Sequence, residues 1–159
     1  MKKILNNKGE TYVLICVFML IIFIIFSVIF TYASVISEVK IQKTNTEIVF
    51  DSFVANNSII IYNNIKQGKN ATDGVNTENL LSAMKEFCTL DEENGMYYNK
   101  NVNGTEQYRM TVPQLGYIED EKLELYLSFT MYVPIRFAGQ TVATAQVPVK
   151  ITSELTSKN

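Results

Sequence analysis

The stretch Thr11–Ser37, TYVLICVFMLIIFIIFSVIFTYASVIS, runs for 27 residues without a charge, and the rest of the chain is regularly charged. A bilayer core about 30 Å thick is crossed by roughly 20 apolar residues in helical form, so this run is long enough even when tilted. Within Val13–Phe30, 15 of 18 residues are Val, Leu, Ile or Phe. On the insertion scale those side chains favour the bilayer by about 5–9 kcal/mol, with no buried charge to offset it. The sequence therefore predicts a transmembrane helix over residues 11–37, with lipid as its first partner.

The flanks set its direction. Lys2, Lys3, Lys8 and the terminal amine precede the run, and only Lys40 and Lys43 follow at comparable distance. The positive-inside rule then places a leader of residues 1–10 in the cytoplasm and everything beyond about residue 38 outside the cell. A cleavable signal peptide is the rival reading, because Thr31 and Ala33 are small residues at the right spacing before Ser34. The apolar run of about 20 residues exceeds the 7–15 usual for a signal sequence, which favours an anchor at the cell membrane.

Helical spacing continues past the bilayer. No Gly or Pro occurs between Ser37 and Gln67, and Phe50, Val54, Asn57, Ile61 and Ile65 form one stripe on a 3.6-residue helix. Val35 and Val39 carry it back toward the membrane. Lys66 and Gly68 mark a C-terminus, so residues 38–67 are expected as an extracellular amphipathic extension. The Asn pairs at 56–57 and 63–64 are the weak points of this helix and make Asn56 the candidate break. The distal end of the stripe is expected to pack on the chain's own sheet, and the part from Val35 to Phe50 to lie beyond the reach of so small a head. The face made by Val35, Val39, Phe50, Val54 and Ile61 is accordingly assigned to a partner helix, from a second copy or a related subunit.

Residues 68–159 read as a small strand-rich head, which makes the fold class α+β. Residues 68–77 form a loop. A short helix follows, capped by Asn76 or Thr77, with Leu80, Leu81, Met84, Phe87 and Cys88 on one face. Asp91–Gly95 reads as a turn. Met96–Tyr98 and Gln107–Val112 are short strands around the hairpin dipeptide Asn103-Gly104. Every odd position from Leu123 to Phe137 is apolar, the mark of a strand with one buried face. Ala138-Gly139-Gln140 turns the chain, and Ala143 to Ile151 repeat the alternation. Pro134 and Pro148 each remove a ladder donor, so edges or bulges are expected there. Thr156–Asn159 reads as a loose end.

Composition narrows the function. The chain has no histidine, so Ser-His-Asp and Cys-His nucleophiles are excluded and the commonest metal ligand is missing. Catalytic, cofactor and metal sites are all assigned as none. Cys16 lies in the span and Cys88 in the exported part, so they cannot pair within one chain; Cys88 reads as a small buried residue. Residues 38–159 carry a net charge of −4, which argues against nucleic-acid binding. The acidic groups 91–93 and 119–121 lack the spacing of a calcium loop and read as solvated turns. The strand tyrosines read as structural.

A short lysine-bearing tail, Gly9-Glu10, a long apolar helix with an amphipathic continuation, and a C-terminal strand-rich head together resemble type IV pilin-like proteins. More narrowly, the chain is similar to TadE-like pseudopilins of tight-adherence (Flp) pilus systems, and Tyr132–Ile151, two strands around a Gly turn with a Pro in each, carries that likeness. The resemblance implies leader processing after Gly9, with Glu10 next in the chain. In that family a glutamate sits five residues after the glycine, where this chain has Leu14. This implies a membrane-retained minor subunit of a surface pilus or secretion apparatus rather than a major pilin. The alternative is a membrane-anchored extracellular binding module.

Overall fold

The computed structural model describes residues 8–119, 123–137 and 139–155. One helix, α1 (Lys8–Lys66), runs without a break for 59 residues, about 90 Å at 1.5 Å per residue. Its first half contains an 18-residue window of mean hydropathy 3.4, none of it buried, so α1 is long and apolar enough to cross a membrane. The break considered near Asn56 does not occur. The Asn57 amide donates to the Phe53 carbonyl at 2.8 Å and the Ser58 hydroxyl to the Ala55 carbonyl at 2.8 Å, so both side chains bond back onto their own helix. The end falls where the sequence placed it. Gly68 takes φ +67°, the Lys69 N–H reaches the Asn64 carbonyl at 2.9 Å and the Gly68 N–H the Ile65 carbonyl at 2.9 Å. That paired 6→1 and 5→2 closure requires a left-handed residue at Gly68.

Helix α2 (Thr77–Phe87) starts at Asn76, whose Oδ1 accepts from the Glu78 and Asn79 amides at 3.0 and 3.3 Å. Six strands follow: β1 (Asp91–Glu93), β2 (Met96–Lys100), β3 (Glu106–Thr111), β4 (Gln114–Glu119), β5 (Leu123–Phe137) and β6 (Gln140–Glu154). All pairings are antiparallel. Both β3 and β4 lie on one edge of β5, with registers offset by a single residue. They are one strand interrupted at Val112-Pro113. Pro113 has no N–H to give the ladder, and the Thr111 hydroxyl accepts from the Thr130 amide at 3.0 Å across the gap. The sheet is thus a meander whose last hairpin, β5–β6, pairs over nearly its whole length.

Several expectations change. Asp91–Glu93 is an edge strand, and only Asn94-Gly95 turns, both with positive φ. Edge strands accept charge readily, which hides them from an apolar pattern. The β5–β6 register shifts between Ile135 and Arg136, the bulge expected beside Pro134. On β5, Leu125, Leu127, Phe129, Met131 and Val133 are buried, but Phe137 is exposed. Leu80, Met84 and Cys88 of the α2 region are buried as expected, while Phe87 faces solvent. The chain turns at Gly139 (φ +81°), with Phe137 paired to Gln140, as expected, while Ala138 and the loose end at 156–159 lie outside the described residues.

Helix α1 packs along β5 and β6 with α2 beside it. Its Val49, Phe50, Phe53, Val54 and Ile61 join the odd-numbered residues of β5 in one core. A 15-residue strand is about 50 Å long, and Val35 to Ile65 spans about 45 Å of helix. The head is elongated along α1, and that length decides which face of the helix is covered.

Candidate functional site

The stripe through Val35, Val39, Phe50, Val54 and Ile61, assigned to a partner helix, is covered by the chain's own head. Its distal end packs on the sheet as expected, and so does the part from Val35 to Phe50 expected to lie beyond reach. Phe50, Val54 and Ile61 are buried in the chain's own core, and Val35 and Val39 pack against its edge. The expectation that the head cannot reach them fails because the long β5–β6 hairpin runs down α1 as far as Val35. There Thr31, Ser34 and Val35 face Val133, Pro134 and Ile135 across a cleft of about 430 Å³. Gly9 and Glu10 lie in the first turn of α1.

The opposite face of α1 is the open one. Ile41, Ile48, Ile59 and Tyr62 are all exposed. At 100° per residue, Ile41, Ile48, Ser52, Ala55 and Ile59 fall within one narrow ridge about 180° from Phe50. The steps of seven, four, three and four are those of a helix–helix seam. The sequence carried this ridge beside the stronger stripe through Phe50. Its isoleucines are separated by Asn, Ser and Ala, so apolar content alone ranks it second.

A second apolar feature adjoins the ridge. Ile48, Val49, Phe53, Ala83 and Phe87 line a groove of about 860 Å³ between α1 and α2. Polar atoms of Ser52, Asn56, Asn57 and Asn79 share its walls. Exposed Phe87 closes one side, which accounts for an aromatic side chain on α2 that the core does not use.

The sheet's outer face is occupied by its own cations. Arg109 stands 5.4 Å from the Tyr132 ring centroid, Lys150 4.3 Å from Tyr126 and Lys100 5.6 Å from Tyr98. Gly116 lets the Tyr126 ring lie across β4, because a Cβ there would meet the ring at 2.4 Å. Tyr97 and Tyr108 are core residues. Two of the three acidic residues of β1 are likewise engaged: Glu92 takes the Lys85 ammonium at 2.7 Å and Glu93 takes Lys100. Those bonds hold both lysines above their ordinary range. Of the second acidic group, Asp120 and Glu121 lie outside the described residues.

Three polar groups sit under the helix. Burial pushes the Cys88 thiol up, outweighing the nearby Thr46 hydroxyl, which favours the thiolate. Although close to that thiol, the Thr46 hydroxyl has no well-directed hydrogen bond, and neither has the Tyr108 hydroxyl. Burial, then the Cys88 and Glu38 charges, push the Tyr108 phenol far up. A thiol held protonated is a poor nucleophile, so these groups fill the core. No family model matches the chain, and neither does any curated protein or solved structure.

Proposed function

We propose that this chain is a membrane-anchored structural subunit, a minor TadE-like pseudopilin of a surface pilus or secretion apparatus. The supporting observation is the division of labour along α1. Its first half is apolar on all sides and suits lipid, whereas its second half gives one face to the head and leaves the ridge Ile41, Ile48 and Ile59 open. An apolar seam on a stiff rod beside a span suits a neighbouring rod of the same kind, from a second copy or another pilin-like chain. In this reading residues 1–10 are cytoplasmic, the head lies outside, and the chain has no catalytic role. A photoreactive side chain at Ile48 tests it in intact cell envelopes. The expected adduct is with this protein itself or with another chain bearing a long apolar N-terminal helix. Adducts only with lipid, or none, count against a subunit role.

The groove beside Phe87 favours a second reading, an extracellular binding module unrelated to pili, because an open apolar groove with polar rims also suits a ligand segment. Under it, a photoreactive group at Phe87 forms adducts and one at Ile41, further down the rod, forms none.

A further inference from the structure

Two hairpin tips hang beside the outer end of the apolar span. Strand β5 runs antiparallel to the outward course of α1, so its last residues lie nearest the span. Phe30 and Thr31 of α1 share a cleft with Ile135 and Arg136. Phe137 stands two residues beyond Ile135, about 7 Å further along the strand. The turn between β2 and β3 comes down beside it, because the Arg136 guanidinium donates to the Glu106 carbonyl at the start of β3. Both tips therefore sit at one level.

That level is set by the helix. If lipid begins at Thr11, just after Glu10, a core of about 30 Å ends near Phe30 at 1.5 Å per residue. Ile135 then lies among the headgroups, and the tips beyond it reach the boundary of the acyl chains. Their side chains match the place. Val102 is 103% exposed, Phe137 61% and Val142 63%, three open apolar residues on otherwise polar turns. Neither 101–105 (NVNGT) nor 136–143 (RFAGQTVA) contains an acidic residue, and Arg136 supplies a cation. The acidic β1–β2 turn, DEENG (91–95), lies at the opposite end of β2 from these tips. Acidic charge is thus carried on the turn away from the span and is missing from the two tips beside it.

We infer that the tips of the β2–β3 and β5–β6 hairpins insert into the outer lipid interface, giving the head a second hold on the bilayer beside its helix. The inference rests on the membrane-anchored reading above. The occupant is lipid because these apolar tips continue the surface of the span at the depth where it leaves the acyl chains. Aromatic and aliphatic side chains beside a cation are the groups that partition there.

The chain contains no tryptophan, so each introduced one reports alone. Full-length Phe137→Trp, Val102→Trp, Phe23→Trp and Tyr62→Trp are reconstituted in phosphatidylcholine vesicles with and without brominated acyl chains. Both tip variants should emit to the blue of Tyr62→Trp and lose about half their emission in brominated lipid, as expected for a side chain at the acyl boundary. Phe23→Trp should be quenched as well. If Phe23→Trp is quenched while both tip variants emit like Tyr62→Trp, the anchor stands and the insertion of the tips is wrong. If Phe23→Trp also escapes quenching, the membrane-anchored reading fails and takes this one with it.

Discussion

Replacing Ile41, Ile48 and Ile59 together by Ala separates the two faces of α1. The three are 51%, 52% and 76% exposed, and complete burial of such a side chain is worth about 1.5–3 kcal/mol. Covering the remaining surface in a helix–helix seam, less the methyl that Ala keeps, contributes roughly 1 kcal/mol each. The triple change should thus weaken association by about 3 kcal/mol, roughly a hundredfold in Kd. Ala is the best helix former, so the rod itself should not suffer. Phe50→Ala, on the buried face, should instead destabilise the head by about 3–5 kcal/mol. Adduct yield from a photoreactive group at Ser52 follows association, and denaturant unfolding of the same samples follows the head. A triple variant with unchanged adduct yield and unchanged stability would refute the outer ridge as the seam.

Two further outcomes test the head. Leu127→Ala, at a fully buried position on β5, should cost about 3 kcal/mol, read as a lowered urea midpoint of the strand signal in circular dichroism. Burial raises both Cys88 and Tyr108 in the folded chain, so folding favours their neutral forms. Their contribution is whole at neutral pH and is lost as pH rises through the ordinary thiol and phenol ranges, about 8.5–10, toward the folded values. Alkaline unfolding should begin there, and Tyr108→Phe, which also removes an unbonded hydroxyl, should move its onset to higher pH.

Much of the architecture was legible because single residues declare it. An uncharged run of 27 residues makes a helix long and apolar enough to cross a membrane, Gly68 and Asn76 are caps with fixed stereochemistry, and the odd-numbered leucines of β5 define one face. Strands β1 and β4 were not legible. The first is Asp-Glu-Glu on an edge, stabilised by lysines from elsewhere in the chain, and the second is severed from β3 by Pro113. The reach of the head along α1 was misread for a different reason. Periodicity finds an apolar stripe but not what covers it, and the assumption of a compact head ignored the length of a 15-residue hairpin. Once β5–β6 is laid along the rod, the stripe through Phe50 becomes core and the weaker ridge through Ile48 becomes the open surface.

In the membrane-anchored reading, the unbroken course of α1 makes the molecule a lever. With no hinge at Asn56 and a sheet splinting the shaft, any lean of the buried part passes undiminished to the far end. Thr31 to Lys66 is about 52 Å of helix, so a lean of about 20°, ordinary for a single span, carries the far end of the helix sideways by about 18 Å. A thinner bilayer, which forces such a lean, would then swing whatever that end holds, and membrane thickness becomes a way to aim it.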